Sequence, residues 1–295
     1  QQPYPIRALI GFGLNHNLWP GSDYMAEALT KLDFLVDVDL FMTDTAKMVD
    51  LVLPACTSFE RGEFKLYAER FAMFTEPVIE PLGDSRPDTD IIFDLAKRLA
   101  PEDTLLKTDY ATCIDWMLEP QGLKVADIRK HEGGCILEGV EPPPYRKYEK
   151  SGFPTPSGKM EFASSQLEDE GYDALPVYTE PKHSPVSTPK LAESFPLVLN
   201  TGSRLPMYIH SRTFRVPWTR ALRPDPLVDI NPEDGEARGL KEGDLVVLST
   251  PKGSISLRAH LTELVPPGVV SVYHGQPGAK INDIIEPDYR DPISG

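Results

Sequence analysis

Asp39 stands where an apolar run, Phe34-Leu35-Val36, gives way to a polar turn, two residues after a second carboxylate at Asp37. The stretch from Phe34 to Ala55 reads as strand, turn, one or two helical turns capped by Thr43, Asp44 or Thr45, and a second strand, Leu51-Val52-Leu53, stopped by Pro54. Two strands joined this way are most simply parallel neighbours with a right-handed crossover. Ligands of such sheets bind beyond the carboxyl ends of the strands, where Asp39 falls. A carboxylate there can accept paired hydrogen bonds from a ribose, or from the N1–H and exocyclic amine of a guanine. Asp is also a good turn residue, and the local pattern alone favours that plainer role.

A second candidate lies upstream. The short strand Arg7-Ala8-Leu9-Ile10 runs into Gly11-Phe12-Gly13-Leu14-Asn15. A helix capped by Ser22 or Asp23 follows, with Met25, Ala28, Leu29 and Leu32 on one face. Strand, glycines, then helix is an arrangement that lets backbone N–H groups approach a diphosphate. The glycine pattern is not GxGxxG, and a plain tight turn explains it equally well. Together these segments make residues 6–55 strand–helix–strand–helix–strand, half of a doubly wound sheet.

The elements that follow are less regular. Phe71 to Ile79 predicts a strand. Asp88 or Asp90 caps a helix with Ile92, Leu95, Ala96 and Leu99 on one face, and Asp94 and Arg98 are spaced as an ion pair within it. Tyr110, Cys113, Ile114 and Met117 share helical spacing, which makes Cys113 a small core residue. Residues 133–190 are rich in Pro and Gly and read as a surface connection. Beyond Phe195, strands are predicted at 197–199, 227–230, 245–249, 255–261 and 269–274. Asn231 caps a short helix with Pro232 at its first position, and Pro251-Lys252-Gly253-Ser254 turns a hairpin. This half is a small, mostly β domain, expected to be a closed barrel.

Composition excludes several classes. The 295-residue chain is long enough for about two domains. Its net charge of -15 and lack of a basic stripe offer nucleic acid no footprint. No apolar run is long enough to span a bilayer. Cys56, Cys113 and Cys135 are far apart, with no CxxC pair, and provide neither a zinc nor an iron–sulfur site. Thirty prolines, about twice the ordinary share, indicate many irregular connections.

Several segments then converge. INPEDGEARGLKEGDLVVLSTPKGSISLRAHLTELVPPGVVSVYHG resembles the C-terminal molybdopterin-dinucleotide-binding domain of the dimethyl sulfoxide reductase family. Thr201-Gly202-Ser203-Arg204 with His210-Ser211-Arg212-Thr213 resembles that family's TGR…H…T segment, and Asn282 with Asp291-Pro292 its closing N…DP element. Gly13-Leu14-Asn15 resembles the G-x-N-P turn, with His16 in place of the Pro. Asp39 to Ala46, followed by VLPA and Glu60-x-Gly62, resembles D-x-F-x-T-x-T-A…VLPA…E-x-G.

The resemblance covers residues 6–100 and 190–295 and carries expectations. The fold class is α/β plus β: a Rossmann-like parallel-sheet half domain over 1–105, a helical and Pro-rich connection over 106–190, and a double-psi β-barrel over 191–295. The cofactor is molybdopterin guanine dinucleotide with Mo or W. Its expected contacts are Gly11, Gly13, Asn15, Asp39, Thr43, Thr201, Gly202, Arg204, His210, Ser211, Arg212, His274 and Asn282. Gly11, Gly13 and Asn15 would face a diphosphate, and the two arginines phosphate or pterin carbonyls. His210 would hydrogen-bond a pterin nitrogen or relay a proton. Surface ion pairs for the arginines, and a structural role for the histidine, are the alternatives. Cys56 is not expected to bind metal.

In the family, a cysteine-rich N-terminal part carries an iron–sulfur cluster and the metal ligand; neither has a counterpart here. The chain is therefore expected to be the C-terminal part of a catalytic subunit, completed by N-terminal domains and served by an iron–sulfur electron-transfer subunit. Thiosulfate or polysulfide reduction is the favoured chemistry. Formate oxidation, non-redox hydration and a non-catalytic binding module are the alternatives.

Overall fold

The computed structural model describes residues 4–68, 70–137, 144–209, 212–276 and 278–287. The chain divides into two compact units. The first holds the residues up to Asn15 together with Thr30–Pro176; the second holds His16–Leu29 together with the residues from Val177 onward.

In the first unit, β1 (Ala8–Phe12), β2 (Phe34–Asp39) and β3 (Leu51–Pro54) form a parallel sheet in the order β1-β2-β3. Gly11 lies opposite Asp37, and Asp39 opposite Pro54. Leu35, Val36 and Val38 are buried, as an apolar central strand requires. The parallel pairing is the one the sequence predicts; the second crossover differs. Lys47 N–H reaches Thr43 O at 3.1 Å, and Thr43 Oγ1 caps Ala46 N–H at 3.0 Å. The segment closes that one turn and makes no helix.

The same unit contains an antiparallel hairpin, β4 (Glu63–Tyr67) with β5 (Phe71–Thr75), and β6 (Cys135–Ile136) pairs beside β5. β5 ends at Thr75, short of the predicted Ile79. Pro77 has no N–H for a ladder, and Val78 N–H turns away to Phe59 O at 2.7 Å. Two helices follow, Asp88–Leu99 and Tyr110–Leu118. In the first, Ile91 and Phe93 are buried, while Ile92 and Leu99 of the predicted face are exposed. Consecutive apolar residues at 91–93 fit more than one face, so spacing alone could not choose. Asp94 bonds Arg86 at 2.6 Å instead of Arg98, which donates to the Asp94 backbone carbonyl. In the second helix Cys113 is only half-buried; Ile114 and Leu118 carry the core with Ala72, Val125, Ile128 and Leu137.

The second unit is built on a five-stranded sheet: β7 (Val198–Asn200), β8 (Leu227–Ile230), β9 (Leu245–Ser249), β10 (Ser254–Leu261) and β11 (Val269–Ser271). The order is β7-β11-β8-β10-β9, with β7–β11 and β8–β10 parallel. β7 and β9 are the outer strands, so among the described residues the predicted closed barrel is not closed by strand pairing. Its core is Val228, Ile230, Leu257, Ala259, Val270, Val272, Ile281 and Ile284. Asn231 caps the 232–236 helix as predicted, its Oδ1 accepting from Glu233 N–H at 3.0 Å.

α1 (Ser22–Leu29) stops three residues short of Leu32 and belongs to this second unit. Gly21 N–H donates to Asn282 O at 2.9 Å, Ser22 Oγ to Asp283, and Lys252 Nζ lies 2.5 Å from Asp23 Oδ1. The helix predicted to serve as a crossover of the parallel sheet is thus tied to the residues after β11 and to the β9–β10 turn. Its polar first turn, Ser22-Asp23-Tyr24, supplies the ties. No described helix is long and apolar enough to cross a membrane.

Candidate functional site

The carboxyl end of the parallel sheet brings the glycine turn and Asp39 into one unit. Gly13 has φ +68, a left-handed conformation that favours glycine, and nothing lies within 4 Å of where its Cβ would be. A ligand can therefore approach the backbone closely there. Gly11 differs: a Cβ on it would meet the Leu14 side chain at 2.1 Å. Gly11 leaves room for Leu14, and Gly13 supplies the turn.

Two N–H groups of the turn are already committed. Gly13 N–H donates to Val38 O at 2.8 Å, and Leu14 N–H to Asp37 Oδ1 at 3.1 Å. Asn15 is half-buried at the end of the turn. One Asp39 oxygen accepts from Phe41 N–H at 2.9 Å, the turn role. The other carboxylate oxygen has no hydrogen-bond partner among the described residues. Both earlier readings of Asp39 are therefore compatible with the geometry. Thr43 Oγ1 is occupied as a cap.

Glu60 holds the chain that leaves this sheet. Its carboxylate, 4% exposed, accepts from Thr57 N–H and Leu82 N–H, each at 2.7 Å, and from Ser85 Oγ at 3.3 Å. Those donors stabilise its charge and lower its pKa to about 2. Cys56 is buried, with its thiol 3.7 Å from Ser85 Oγ. Among the described residues, no group of three or more His, Cys, Asp or Glu side chains is placed to hold a metal ion.

In the second unit the loop after β7 meets the strand end after β11. Arg204 and His274 form a parallel bridge, with His274 N–H donating to Ser203 O at 3.2 Å. Thr201 is half-buried, and Gly202 is exposed with its N–H on Asn200 Oδ1. Arg204 and Arg212 are exposed. Ile209 has φ +41, a strained value for a β-branched residue. Buried Tyr208 beside it anchors the loop through its hydroxyl to Arg223 O. Asn282 Nδ2 donates to Asn17 O at 2.7 Å. His210 and Ser211 lie outside the described residues, as does the Asp291-Pro292 element.

One polar cluster has no counterpart among the residues singled out above. Asp229, 1% exposed on β8, accepts from or shares a proton with His260 Nδ1 at 2.8 Å. The Tyr273 hydroxyl also bonds Asp229, and burial, then that bond, push its pKa up. The Arg223 guanidinium lies 5.2 Å from the Tyr273 ring centroid. These residues come from separate segments of the chain, so spacing could not have assembled them. The register that sets Asp229 beside His260 does.

Comparison with known proteins covers both segments. A family model described as molybdopterin oxidoreductase matches residues 11–98. One described as molydopterin dinucleotide binding domain matches residues 197–295. Acetylene hydratase of Syntrophotalea acetylenica is 31% identical over 281 residues, 94% of this chain and 38% of that protein. Dopamine dehydroxylase of Eggerthella lenta is 26% identical over 378 residues, 99% of this chain and 37% of that protein. Dimethyl sulfoxide reductase of Haemophilus influenzae is 28% identical over 274 residues, 83% of this chain and 33% of that protein. The solved structure of acetylene hydratase from Pelobacter acetylenicus matches with a TM-score of 0.80 at 29% identity, over 93% of this chain and 38% of that one.

The fold is the α/β fold of molybdopterin oxidoreductases. The chain belongs to the dimethyl sulfoxide reductase family of molybdopterin oxidoreductases. It spans 33–38% of the length of the three relatives described here. The family's cofactor is a molybdopterin dinucleotide carrying molybdenum or tungsten, and the residues present fit such a group. In the first unit the open approach at Gly13 and the second Asp39 oxygen suit a close backbone contact and a base or ribose donor; in the second unit, taken by itself, the exposed Arg204 suits a phosphate.

Proposed function

We propose that this chain is the C-terminal part of the catalytic subunit of a molybdenum or tungsten bis(molybdopterin guanine dinucleotide) oxidoreductase. Its task is to bind and orient the dinucleotide. The observation that carries the reading is the match of two separate segments, 11–98 and 197–295, each to a molybdopterin model. When bound, the pterin-held metal supplies two-electron redox chemistry. The protein supplies position and charge. Asp39 accepts donors of the guanine or ribose through its available oxygen. Gly13 lets the ligand approach the backbone, and Asn15 lies at the edge of that approach. Arg204 and Arg212 offer forked cationic donors to phosphate or pterin oxygens. Thr43 sits on the turn after Asp39 in the first unit, and Thr201, Gly202 and His274 sit on the loops around Arg204 in the second; each set is proposed to contact the cofactor. Asn282 contributes by tying the 16–18 segment through its bond to Asn17.

The five-stranded unit is proposed to be the core of a double-psi β-barrel; its two parallel strand pairs and the family match over 197–295 support this. N-terminal domains that carry an iron–sulfur cluster and the metal ligand, and an iron–sulfur electron-transfer subunit, are proposed partners. Thiosulfate or polysulfide reduction is the favoured reaction.

A second reading, non-redox hydration, is favoured by one specific observation: the 31% identity to acetylene hydratase. The full-length subunit, purified anaerobically, separates the two. Guanine nucleotide released on denaturation, together with bound molybdenum or tungsten, tests cofactor binding. Turnover of thiosulfate or polysulfide with a reduced dye supports the oxidoreductase. Hydration of acetylene with no net transfer of electrons supports the hydratase. Absence of dinucleotide from intact full-length protein would refute both.

A further inference from the structure

Asp37 is fully buried in the middle of β2, on the strand that ends at Asp39. Residues two apart on a strand share a face, so both carboxylates lie on the same side of the sheet. Asp37 Oδ1 accepts the Leu14 N–H at 3.1 Å, while Oδ2 is buried with no hydrogen-bond partner among the described residues. A buried carboxylate with an unpaired oxygen is costly as an anion, and far less so as a neutral acid. The flanking strands offer no cation. β1 is Ala-Leu-Ile-Gly-Phe and β3 is Leu-Val-Leu-Pro, neither with a titratable side chain. The charged group that faces Asp37 is Asp39, a like charge.

The turn that Asp37 holds is the one proposed above to receive the dinucleotide. Three contacts set its shape. Gly13 N–H is on Val38 O, Leu14 N–H is on Asp37, and the Leu14 side chain occupies the space over Gly11. Of these three, only the Asp37 bond depends on a polar side chain.

We propose that Asp37 is a positioning residue, whose carboxyl accepts the Leu14 N–H to fix the Gly13–Asn15 turn in the conformation that receives the dinucleotide. This rests on the cofactor-binding reading above and adds a residue to it. Burial pushes the Asp37 carboxyl up, the Leu14 N–H opposes this, and the Asp39 charge adds to the rise. A group shifted up in this way contributes fully below its ordinary range. Its contribution is lost as pH rises through the shifted value, when the ionised acid sits unpaired in the interior.

The test uses the full-length subunit as wild type, Asp37→Asn and Asp37→Ala. Asn keeps an acceptor oxygen for Leu14 and resembles the neutral acid; Ala keeps neither. Two quantities are followed as pH rises from the ordinary carboxylate range to neutral: release of guanine nucleotide, and hydrogen exchange at the Leu14 amide. The expected order is that Asp37→Asn matches wild type at the acid end of the range. Asp37→Ala releases nucleotide about five- to tenfold faster, the equivalent of one lost hydrogen bond, and exchanges Leu14 faster. Wild-type release accelerates as pH rises above the ordinary carboxylate range, and Asp37→Asn release does not.

Asp37→Ala retaining nucleotide like wild type overturns the proposal. So does Asp37→Asn behaving like Asp37→Ala, since the charge would then be what matters. If Asp37→Ala fails to fold, the comparison of wild type with Asp37→Asn still decides, and identical pH profiles overturn it. A wild-type subunit without guanine nucleotide refutes the cofactor reading instead, and the order of Leu14 exchange among the variants then judges the turn alone.

Discussion

Arg204 and His274 face each other across a parallel bridge, joining the loop after β7 to the strand end after β11. Both were singled out from separate motifs, and the fold of the second unit makes them neighbours. Arg204 is exposed, so its removal should cost the fold little. We expect Arg204→Ala to change unfolding free energy by less than about 1 kcal/mol while reducing guanine nucleotide content in the full-length subunit. Arg204→Lys should recover only part of the loss, because Lys presents a point charge where Arg presents a fork. Nucleotide content equal to wild type in Arg204→Ala would remove this residue from the contact set.

Gly11 and Leu14 form a steric pair. A Cβ at residue 11 would meet Leu14 at 2.1–2.5 Å, and the far end of a flexible side chain has to yield. Gly11→Ala should therefore destabilise the subunit by about 1–3 kcal/mol. In the double variant with Leu14→Ala, much of that cost should disappear, giving a coupling of about 1 kcal/mol or more. Gly13→Ala is different in kind: there is space, but φ is +68, so about 1–2 kcal/mol is expected from backbone strain alone. Simple additivity of the first two changes would show that Leu14 does not need the room at Gly11.

Asp39 offers a substitution that separates its two roles. Asn can keep the oxygen that caps Phe41 N–H and the turn with it. It cannot accept on both sides toward a guanine. Asp39→Asn is expected to preserve melting temperature yet weaken nucleotide retention by roughly 1–3 kcal/mol. If nucleotide content and release rate are unchanged in Asp39→Asn, Asp39 is a turn residue and nothing more.

Glu60 should govern part of the acid limb. Its folded pKa is about 2, against about 4.3 for an unfolded glutamate. A carboxyl lowered on folding adds stability above its unfolded value, and the gain drains away as pH falls toward the folded one. Melting temperature should thus drop progressively below about pH 5. Glu60→Gln should be less stable at neutral pH and show a shallower acid slope, so that the two curves converge. Parallel curves down to pH 3 would contradict this.

The period-2 and turn signals that sequence carries were enough for the parallel sheet, the β9–β10 hairpin and the Asn231 cap, because each depends on residues close in the chain. Three features depend on distant partners and were not legible. α1 has a polar first turn whose partners, Asp283 and Lys252, lie far along the chain. Ile91, Ile92 and Phe93 fit two helix faces, and only packing chose between them. Asp229 and His260 meet through strand register. Asp37 was visible as a carboxylate inside an apolar run, and its meaning came only from the Leu14 bond.

Tyr273 should resist ionisation. Burial raises its pKa first, then its bond to Asp229 and that residue's charge; Arg223 opposes the rise. Because the folded value lies above the unfolded one, near 10, the stabilisation is whole below about pH 10 and is lost as pH climbs through the folded value. In a spectrophotometric titration Tyr273 should therefore be among the late-ionising tyrosines, and Tyr273→Phe should remove a late component. Asp229→Asn should shift that component to lower pH, since the amide has no charge. Asp229 is 1% exposed and also meets His260, so Asp229→Asn should cost about 1–3 kcal/mol as well. Were the late component still present and unmoved in Asp229→Asn, the Asp229–Tyr273 bond would not be what raises it.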